Sequence, residues 1–256
     1  VSTIRFEGNK LFSDAQLLAA VPLKVGDVFS ADRLKKSQDA LIDLYGKLGF
    51  LDTRVQIDRL FHEQAPRVDM LVKITEGTEA LVGKIQVTGN QTTKDKVAYR
   101  AVRGMDPGRR FDRSGIAETE RRLREGVAFG QANVTIQGDP GDPYRDVLIE
   151  VKEKQSGNLS FGAGISSDAG VIGSIELTQR NFDITDTPES LGEFFTGKAF
   201  RGAGQSFGIR LQPGNEFSNY SVNFADPYFL ESDFSLSTSA FFFSRVAVSP
   251  DDADRV

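Results

Sequence analysis

The first 154 residues repeat themselves, and this duplication limits the available folds more than any other feature of the chain. IRFEGNKLFSD (4–14) aligns with IQVTGNQTTKD (85–95), and LAAVPLKVGDVF (18–29) with YRAVRGMDPGRRF (99–111) after one inserted residue. FLDTRVQI (50–57) matches FGQANVTI (129–136), and DMLVKITE (69–76) matches DVLIEVKE (146–153). Two copies of this length are too few for a solenoid, so the pattern predicts two similar small domains in tandem.

Each copy spells the same order of elements. A short alternating strand comes first, carried by Ile4 and Phe6 or by Ile85 and Val87. Gly8-Asn9 and Gly89-Asn90 then supply residues that tolerate positive φ in a turn. In copy one, Ser13 followed by Gln16 fits a capping box at the start of a first helix. A second helix starts near Ser30. Its Leu34, Leu41, Leu44, Tyr45 and Leu48 form one stripe, and Gly49 stands where a C′ glycine belongs. Copy two repeats this less fully with Ile116 and Leu123, ending at Gly126. Two strands close each copy. Val55 and Ile57 alternate, then Val68, Met70, Val72 and Ile74; their counterparts are Val134 and Ile136, then Val147, Ile149 and Val151. DPGDP (139–143) reads as the turn between the last two strands. The order β-α-α-β-β implies a small sheet with two helices on one face, an α+β domain.

After Lys154 helical periodicity vanishes, and 13 of the 20 phenylalanines lie beyond this point. Strand-like segments recur at 158–166, 171–179, 206–212, 217–225 and 233–244, each with an apolar face and a polar or tiny one. In NLSFGAGIS (158–166), Leu159, Phe161, Ala163 and Ile165 alternate with Ser160, Gly162, Gly164 and Ser166. A single segment of this kind fits a soluble β-sandwich equally well. Five in series, joined by short turns such as SSDAG (166–170) and PGNE (213–216), favour the strands of a membrane barrel. Phenylalanines and Tyr228 near strand ends suit an interfacial girdle, and Glu176 and Arg210 fall on the polar face, where a wet lumen tolerates charge.

Other classes find little support. A net charge of −5 argues against a nucleic-acid partner, and without cysteine there are no disulfides or thiolate metal sites. His62 is the only histidine and reads as a surface residue. No nucleophile elbow, phosphate loop or zinc-binding His-Glu-x-x-His is present, so no enzyme, metal site or cofactor is expected. Gly202, Gly204 and Gly208 have the wrong spacing for a dinucleotide loop. Asp183/Asp186 and Asp251/Asp252/Asp254 read as solvated loop charges, and Asn158-Leu-Ser160 as a chance sequon. No apolar run is long enough for a spanning helix. The opening at Val1 without methionine leads us to expect a piece of a longer protein.

The combination resembles one family. Tandem β-α-α-β-β repeats with a strand–Gly-Asn signature, followed by a Gly/Phe-rich barrel, resemble the BamA-type outer-membrane assembly factors with their polypeptide-transport-associated (POTRA) domains. The motifs carrying the resemblance are EGNKLFS (7–13), VGDVFS (25–30), YGKLGF (45–50), SGNLSFGAGISSDAGVIGSIELTQRNF (156–182) and NFADPYF (223–229). The last is similar to the Asn/Asp-Pro-Tyr-Phe motif that ends the family's fourth barrel strand. The resemblance implies tandem POTRA domains at 1–77 and 78–154 and antiparallel transmembrane β-barrel strands at 155–256, a partial barrel. The segment 181–205 is longer than the family's link between its second and third strands.

What the resemblance implies for function is a non-enzymatic machine in the cell outer membrane, with its POTRA domains in the periplasm. Its partners would be unfolded outer-membrane β-barrel proteins, accessory assembly lipoproteins and outer-membrane lipid, with no nucleic acid. The first barrel strand, Asn158, Leu159, Ser160, Phe161, Gly162, Ala163, Gly164 and Ile165, would be the client-docking edge. Gly162 and Gly164 would weaken its seam, although a crowded lumen would demand the same glycines. Strand addition would use Arg54, Val55, Gln56 and Ile57 in copy one and Asn133, Val134, Thr135 and Ile136 in copy two. Two other readings stay open: a two-partner-type secretion transporter of the same superfamily, and a soluble periplasmic scaffold or adhesion module ending in a β-sandwich.

Overall fold

The computed structural model describes residues 1–62, 66–166, 170–190, 192–193, 199–232 and 234–246. Asp251, Asp252 and Asp254 lie outside the described residues, as do the centres of the SSDAG turn and of the 181–205 link. The chain forms two compact units. One comprises Val1–Thr88, Ala101–Arg122 and Ala132–Glu150, the other Gly89–Arg100, Leu123–Gln131 and Val151–Val256.

In the first copy, β1 (Thr3–Glu7), α1 (Asp14–Ala20), α2 (Ala31–Gly46), β2 (Arg54–Phe61) and β3 (Val68–Thr75) follow the expected order. The sheet runs β1-β3-β2, with β1 parallel and β2 antiparallel to the central β3. Strict alternation puts Val68, Met70, Val72 and Ile74 on one buried face. Leu41 and Tyr45 of α2 meet that face together with Leu17 of α1, and fully burying one such side chain contributes about 2 kcal/mol. The expected cap is present: Gln16 Oε1 accepts hydrogen bonds from both the Ser13 amide and its hydroxyl, each at 2.9 Å. Gly49, at φ +85°, ends α2 as its position required.

The second copy repeats the order with β4 (Leu81–Thr88), α3 (Asp95–Tyr99), α4 (Ser114–Glu125), β5 (Phe129–Gln137) and β6 (Tyr144–Glu153). Its sheet runs β4-β6-β5, again with a parallel first pair. Its helices are shorter than their counterparts, as the thinner apolar stripe implied.

The turn after the first strand is built identically in both copies. Gly8 and Gly89 take φ of +86° and +88°. A Cβ on Gly8 would stand 2.1 Å from the Ile74 carbonyl oxygen, and one on Gly89 2.0 Å from that of Val151. Asn9 then donates to the Phe12 carbonyl and the Asp14 carboxylate, and Asn90 to those of Thr93 and Asp95. A carboxylate at the end of the last strand closes each turn. Glu76 accepts the Lys10 and Leu11 amides at 2.6 and 2.8 Å, and Glu153 those of Thr92 and Thr93 at 2.9 and 2.6 Å. Burial pushes the Glu76 carboxyl up, but the amides of Leu11 and Lys10 and the Tyr45 hydroxyl outweigh it and hold its pKa below the ordinary value. Burial and the same carboxylate push the Tyr45 phenol well up.

After Ser156, β7 (Gly157–Ser166), β8 (Gly170–Phe182), β9 (Arg201–Gln212), β10 (Phe217–Asp226) and β11 (Leu236–Arg245) form one antiparallel meander. Three boundaries differ from the sequence reading by three residues or more, the first being the end of the second strand, which runs on to Phe182 instead of 179. The third strand begins at Arg201 instead of 206, because Gly202 and Gly204 interrupt the apolar alternation although both are buried in the strand. The fifth begins at Leu236, since the backbone of Phe234 is committed to a turn, its carbonyl accepting the Phe229 amide at 2.8 Å. Among the described residues no second sheet covers this one, as a sandwich would require.

Gly8→Ala should destabilise the first repeat by about 2–3 kcal/mol, because it combines positive φ with a carbonyl clash. Gly26, at φ +95° with open space around it, isolates the φ effect, and Gly26→Ala should cost about 1 kcal/mol. Urea unfolding of the two variants measures the difference. Equal effects would remove the carbonyl contact from the account.

Candidate functional site

The expected docking strand β7 stands at an edge of the five-stranded sheet, in the order β11-β10-β9-β8-β7. Its other edge is held by ten consecutive partners on β8, from Gly157 opposite Gln179 to Ser166 opposite Gly170. Leu159 faces Leu177, and that row continues through Ile209 and Val222 to Ala240. Phe161 faces Ile175, and its row runs through Leu211 and Tyr220 to Phe242. This face is most open on β7, where Phe161 is 73% exposed and Ile165 86%, while Leu177 and Leu211 further in are 37% exposed. A Cβ on Gly162 would meet the Ser174 hydroxyl at 2.5 Å, whereas one on Gly164 would meet nothing within 4 Å. Gly162 therefore answers to crowding on the polar face, and Gly164 does not.

The polar face carries Ser160, Glu176, Arg210 and Ser221 in one row. Glu176 and Arg210 are direct cross-strand partners joined at 2.9 Å. The expectation that this face is polar or tiny throughout fails at β11. Phe241 stands opposite Ser221 and Phe243 opposite Asn219, so both rings share the polar side and stack at 6.5 Å. Three consecutive phenylalanines cannot all point one way when the side-chain period is two.

At the base of the sheet lies a polar joint that the sequence reading missed. Asn181, buried and at φ +57°, donates to the Thr93 hydroxyl at 2.8 Å and accepts the Gly204 amide at 2.9 Å. The Lys94 amide donates to the Gly202 carbonyl at 2.9 Å, and a Cβ on Gly202 would sit 2.4 Å from the Thr92 carbonyl. Close approach explains the glycine. Asp183 is 1% exposed and pairs with Lys94 at 2.5 Å, while the Thr185 hydroxyl donates to its other oxygen at 2.6 Å. The reading of Asp183 as a solvated loop charge is thus corrected: the link folds back on the turn at 92–94 and buries it. Asp186 receives the Arg201 amide at 3.0 Å. Phe182 stacks between Phe200 and Phe207, at 5.5 and 5.0 Å. The NFADPYF motif closes the joint. Asp226 accepts from Gln205 at 2.8 Å, and the Arg100 guanidinium lies 4.8 Å over the Tyr228 ring. Glu231 pairs with Lys96 at 2.8 Å.

The other predicted residues lie on edge strands, β2 and β5. Each edge is partly covered by its own second helix. The Gln38 amide donates to the Val55 carbonyl at 2.7 Å, and Glu120 accepts the Val134 amide at 2.9 Å. Val55 and Val134 are equivalent positions of the two copies. Asn133 is tied to Glu150 at 3.1 Å.

Burial raises the Asp183 pKa, but Lys94 and Thr185 outweigh it and hold it below the ordinary carboxylate value. A depressed carboxylate contributes stability that is complete above its unfolded pKa and is lost as pH falls through the folded one. The joint should therefore hold at neutral pH and loosen only below the ordinary carboxylate range, about pH 4. Lys94→Met should cost the joint roughly 1–2 kcal/mol, discounted because the lysine is half exposed. Hydrogen exchange of the 92–97 amides reads both effects. A Lys94→Met joint that exchanges like the wild type would make the ion pair incidental.

Comparison with known proteins bears on this arrangement. The POTRA family model, described as surface antigen variable number repeat, matches residues 1–77 and 80–154. The Omp85 superfamily domain matches 199–256. The outer membrane protein assembly factor BamA of Neisseria meningitidis is 24% identical over 87% of this chain and 26% of its own length. That of Nitratidesulfovibrio vulgaris is 27% identical over 76% of this chain and 25% of its own. The chain thus spans about a quarter of the length of these curated relatives. The crystal structure of Haemophilus ducreyi BamA lacking POTRA domains 1–3 shares the fold, with a TM-score of 0.76 at 22% identity, over 96% of this chain and 43% of that one. POTRA repeats followed by such a sheet place the protein at the outer membrane, with its repeats in the periplasm. The chain belongs to the POTRA family and is of the BamA type, its two repeats leading into an Omp85 domain.

Proposed function

We propose that the chain is the part of a non-enzymatic assembly factor that receives unfolded outer-membrane proteins on its POTRA repeats and templates their insertion at β7. The carrying observation is the open edge of β7 beside its exposed apolar residues. In hydrocarbon each unpaired backbone N–H or C=O costs several kcal/mol. A client strand that pairs with β7 while entering the membrane avoids that cost. The segment Asn158–Ile165 supplies the row of backbone groups, and Leu159, Phe161 and Ile165 face outer-membrane lipid. Residues 1–77 and 78–154 form the two POTRA domains, and 155–256 the opening strands of the barrel.

In the periplasm, clients and accessory assembly lipoproteins add strands at Arg54–Ile57 and Asn133–Ile136. Gln38 and Glu120 occupy one backbone group on each of these edges, so a docking strand has to displace them. The two side chains act as guards against indiscriminate pairing. Removing both, as Gln38→Ala with Glu120→Ala, should raise client crosslinking from Gln56 and Thr135; no change would place client docking elsewhere.

The template role is tested by photo-crosslinking from Ser160 and Gly162 during client assembly. Yields well above those from Ile209 and Leu211, which lie on the apolar face of β9, are expected. Yields no higher than at those positions would sink the role of β7.

A further inference from the structure

Among the described residues, four that are not glycine take positive φ: Asn181, Phe200, Leu230 and Glu231, at +57°, +58°, +53° and +61°. A side chain makes this conformation unfavourable, so each should answer to a contact that requires it. Three do. Asn181 is bonded to Thr93 and Gly204 in the joint. Phe200 stacks on Phe182, and its amide donates to the Asp186 carbonyl at 2.8 Å. Glu231 pairs with Lys96 at 2.8 Å. Leu230 differs, because its side chain is 82% exposed. The chain holds an apolar residue in a strained backbone state and presents it outward, which in water is unfavourable on both counts.

Leu230 lies in the turn between β10 and β11, at the end of the sheet that carries the joint. Internal bonds fix this turn. The Phe229 amide donates to the Phe234 carbonyl at 2.8 Å, the Glu231 amide to that of Tyr228 at 3.0 Å, and the Ser232 hydroxyl to that of Phe229 at 2.6 Å. Phe234, on the returning arm, is 79% exposed. The last cross-strand pair before the turn is Asp226 with Leu236. Leu236 shares the face of Ala240 and Phe242 by the period of two, and Phe234 stands two residues beyond it, at most about 7 Å along the chain. From the side of α3, Lys96 reaches Glu231 and the Arg100 guanidinium covers the Tyr228 ring.

We propose that Leu230 and Phe234 form an anchor in the periplasmic leaflet of the outer membrane, seated where acyl chains meet headgroups. The inference rests on the place of the sheet in that membrane and not on the client role of β7. Apolar rows that end at Leu236 put the edge of the hydrocarbon at this turn, and apolar side chains just beyond such an edge lie in the interface. The charges agree, since Lys96 and Arg100 bring cations to the height of the lipid phosphates, with Tyr228 as the amphipathic ring beside them. A strand-adding protein does not fit, because the Phe229 and Glu231 amides are bonded within the turn. The two left-handed residues have a use in this arrangement: Glu231 reaches α3 while Leu230 enters lipid. Through Glu231 and Tyr228 the anchor holds α3 at the membrane surface.

The test counts collisions of nitroxide spin labels with oxygen, which concentrates in lipid, and with a nickel chelate, which stays in water. Labels go on Leu230→Cys and Phe234→Cys in the full-length protein in phosphatidylcholine nanodiscs. Ile165→Cys is the lipid reference, and Lys35→Cys, whose side chain is 76% exposed, the water reference. The oxygen-to-nickel ratio at both turn positions is expected about threefold or more above that at Lys35 and below that at Ile165. Leu230→Gly with Phe234→Ser should speed exchange of the Lys96 to Arg100 amides about threefold in the same discs, while Leu230→Phe keeps the wild-type rate. Glycine relieves the strained φ, so a turn that served only its own strands would leave exchange unchanged or slow it, and that result overturns the proposal. A water-like ratio at Leu230 beside a lipid-like one at Ile165 overturns the anchor alone. Water-like ratios at both overturn it together with the membrane place of the sheet. Few collisions of either kind at Leu230 would reveal a protein cover and overturn it as well.

Discussion

A strand that leaves water has to take its main-chain hydrogen bonds with it, and the C-terminal half of the chain is arranged around that requirement. A meander meets it with the shortest connections, since each new strand pairs with the one just placed. The inner strands β8, β9 and β10 are paired on both sides, so among the described residues of this sheet the open rows lie along β7 and β11. Pairing also fixes which way side chains point. Once Leu159 lies opposite Leu177, the period of two sends apolar residues of neighbouring strands to one face. Glu176 and Arg210 are then forced together on the other face, where each neutralises the other.

The same requirement ends where the strands reach water, and there the protein changes its means of cohesion. The base is held by side chains bonded to backbone. Glu153 fixes the Thr92 and Thr93 amides, Thr93 receives Asn181, and Asn181 holds the Gly204 amide on β9. Each link is one hydrogen bond worth about 1 kcal/mol. Their burial makes any single break more costly than that, because the partner is left without water. The Phe182 stack lies beside this chain of bonds and supplies the non-directional part of the joint.

The fold was legible because two periods were written clearly. The α2 stripe from Leu34 to Tyr45 and the alternation of Val68 to Ile74 each admit one element, and the duplication supplied a second reading of both. The joint was not legible for a physical reason. Asn181, Asp183, Gly202 and Gly204 have the composition of a loop, and only their partners, some 90 to 110 residues away in sequence, bury them. Glu76 and Glu153 matched each other in the repeat alignment, yet nothing local showed that a strand-end carboxylate would close a turn about 65 residues earlier. The contacts of Gln38 and Glu120 with the edge strands were hidden likewise, since a polar residue on a helix reads as solvated until its strand is placed.

The duplication also separates what the backbone dictates from what side chains decide. Both copies build the same frame at the head of the sheet, with the same pair of hydrogen bonds between the entering strand and the Gly-containing turn. On that frame the second copy mounts Arg145, whose one nitrogen reaches both oxygens of Asp52 at 3.0 and 3.2 Å. A charge-assisted contact of this kind is directional and admits essentially one orientation. The first copy mounts Val28 and Val68 instead, and apolar burial rewards removal from water whatever the angle of approach. One fold, used twice, thus carries an ion pair on one copy and apolar side chains at the equivalent positions of the other.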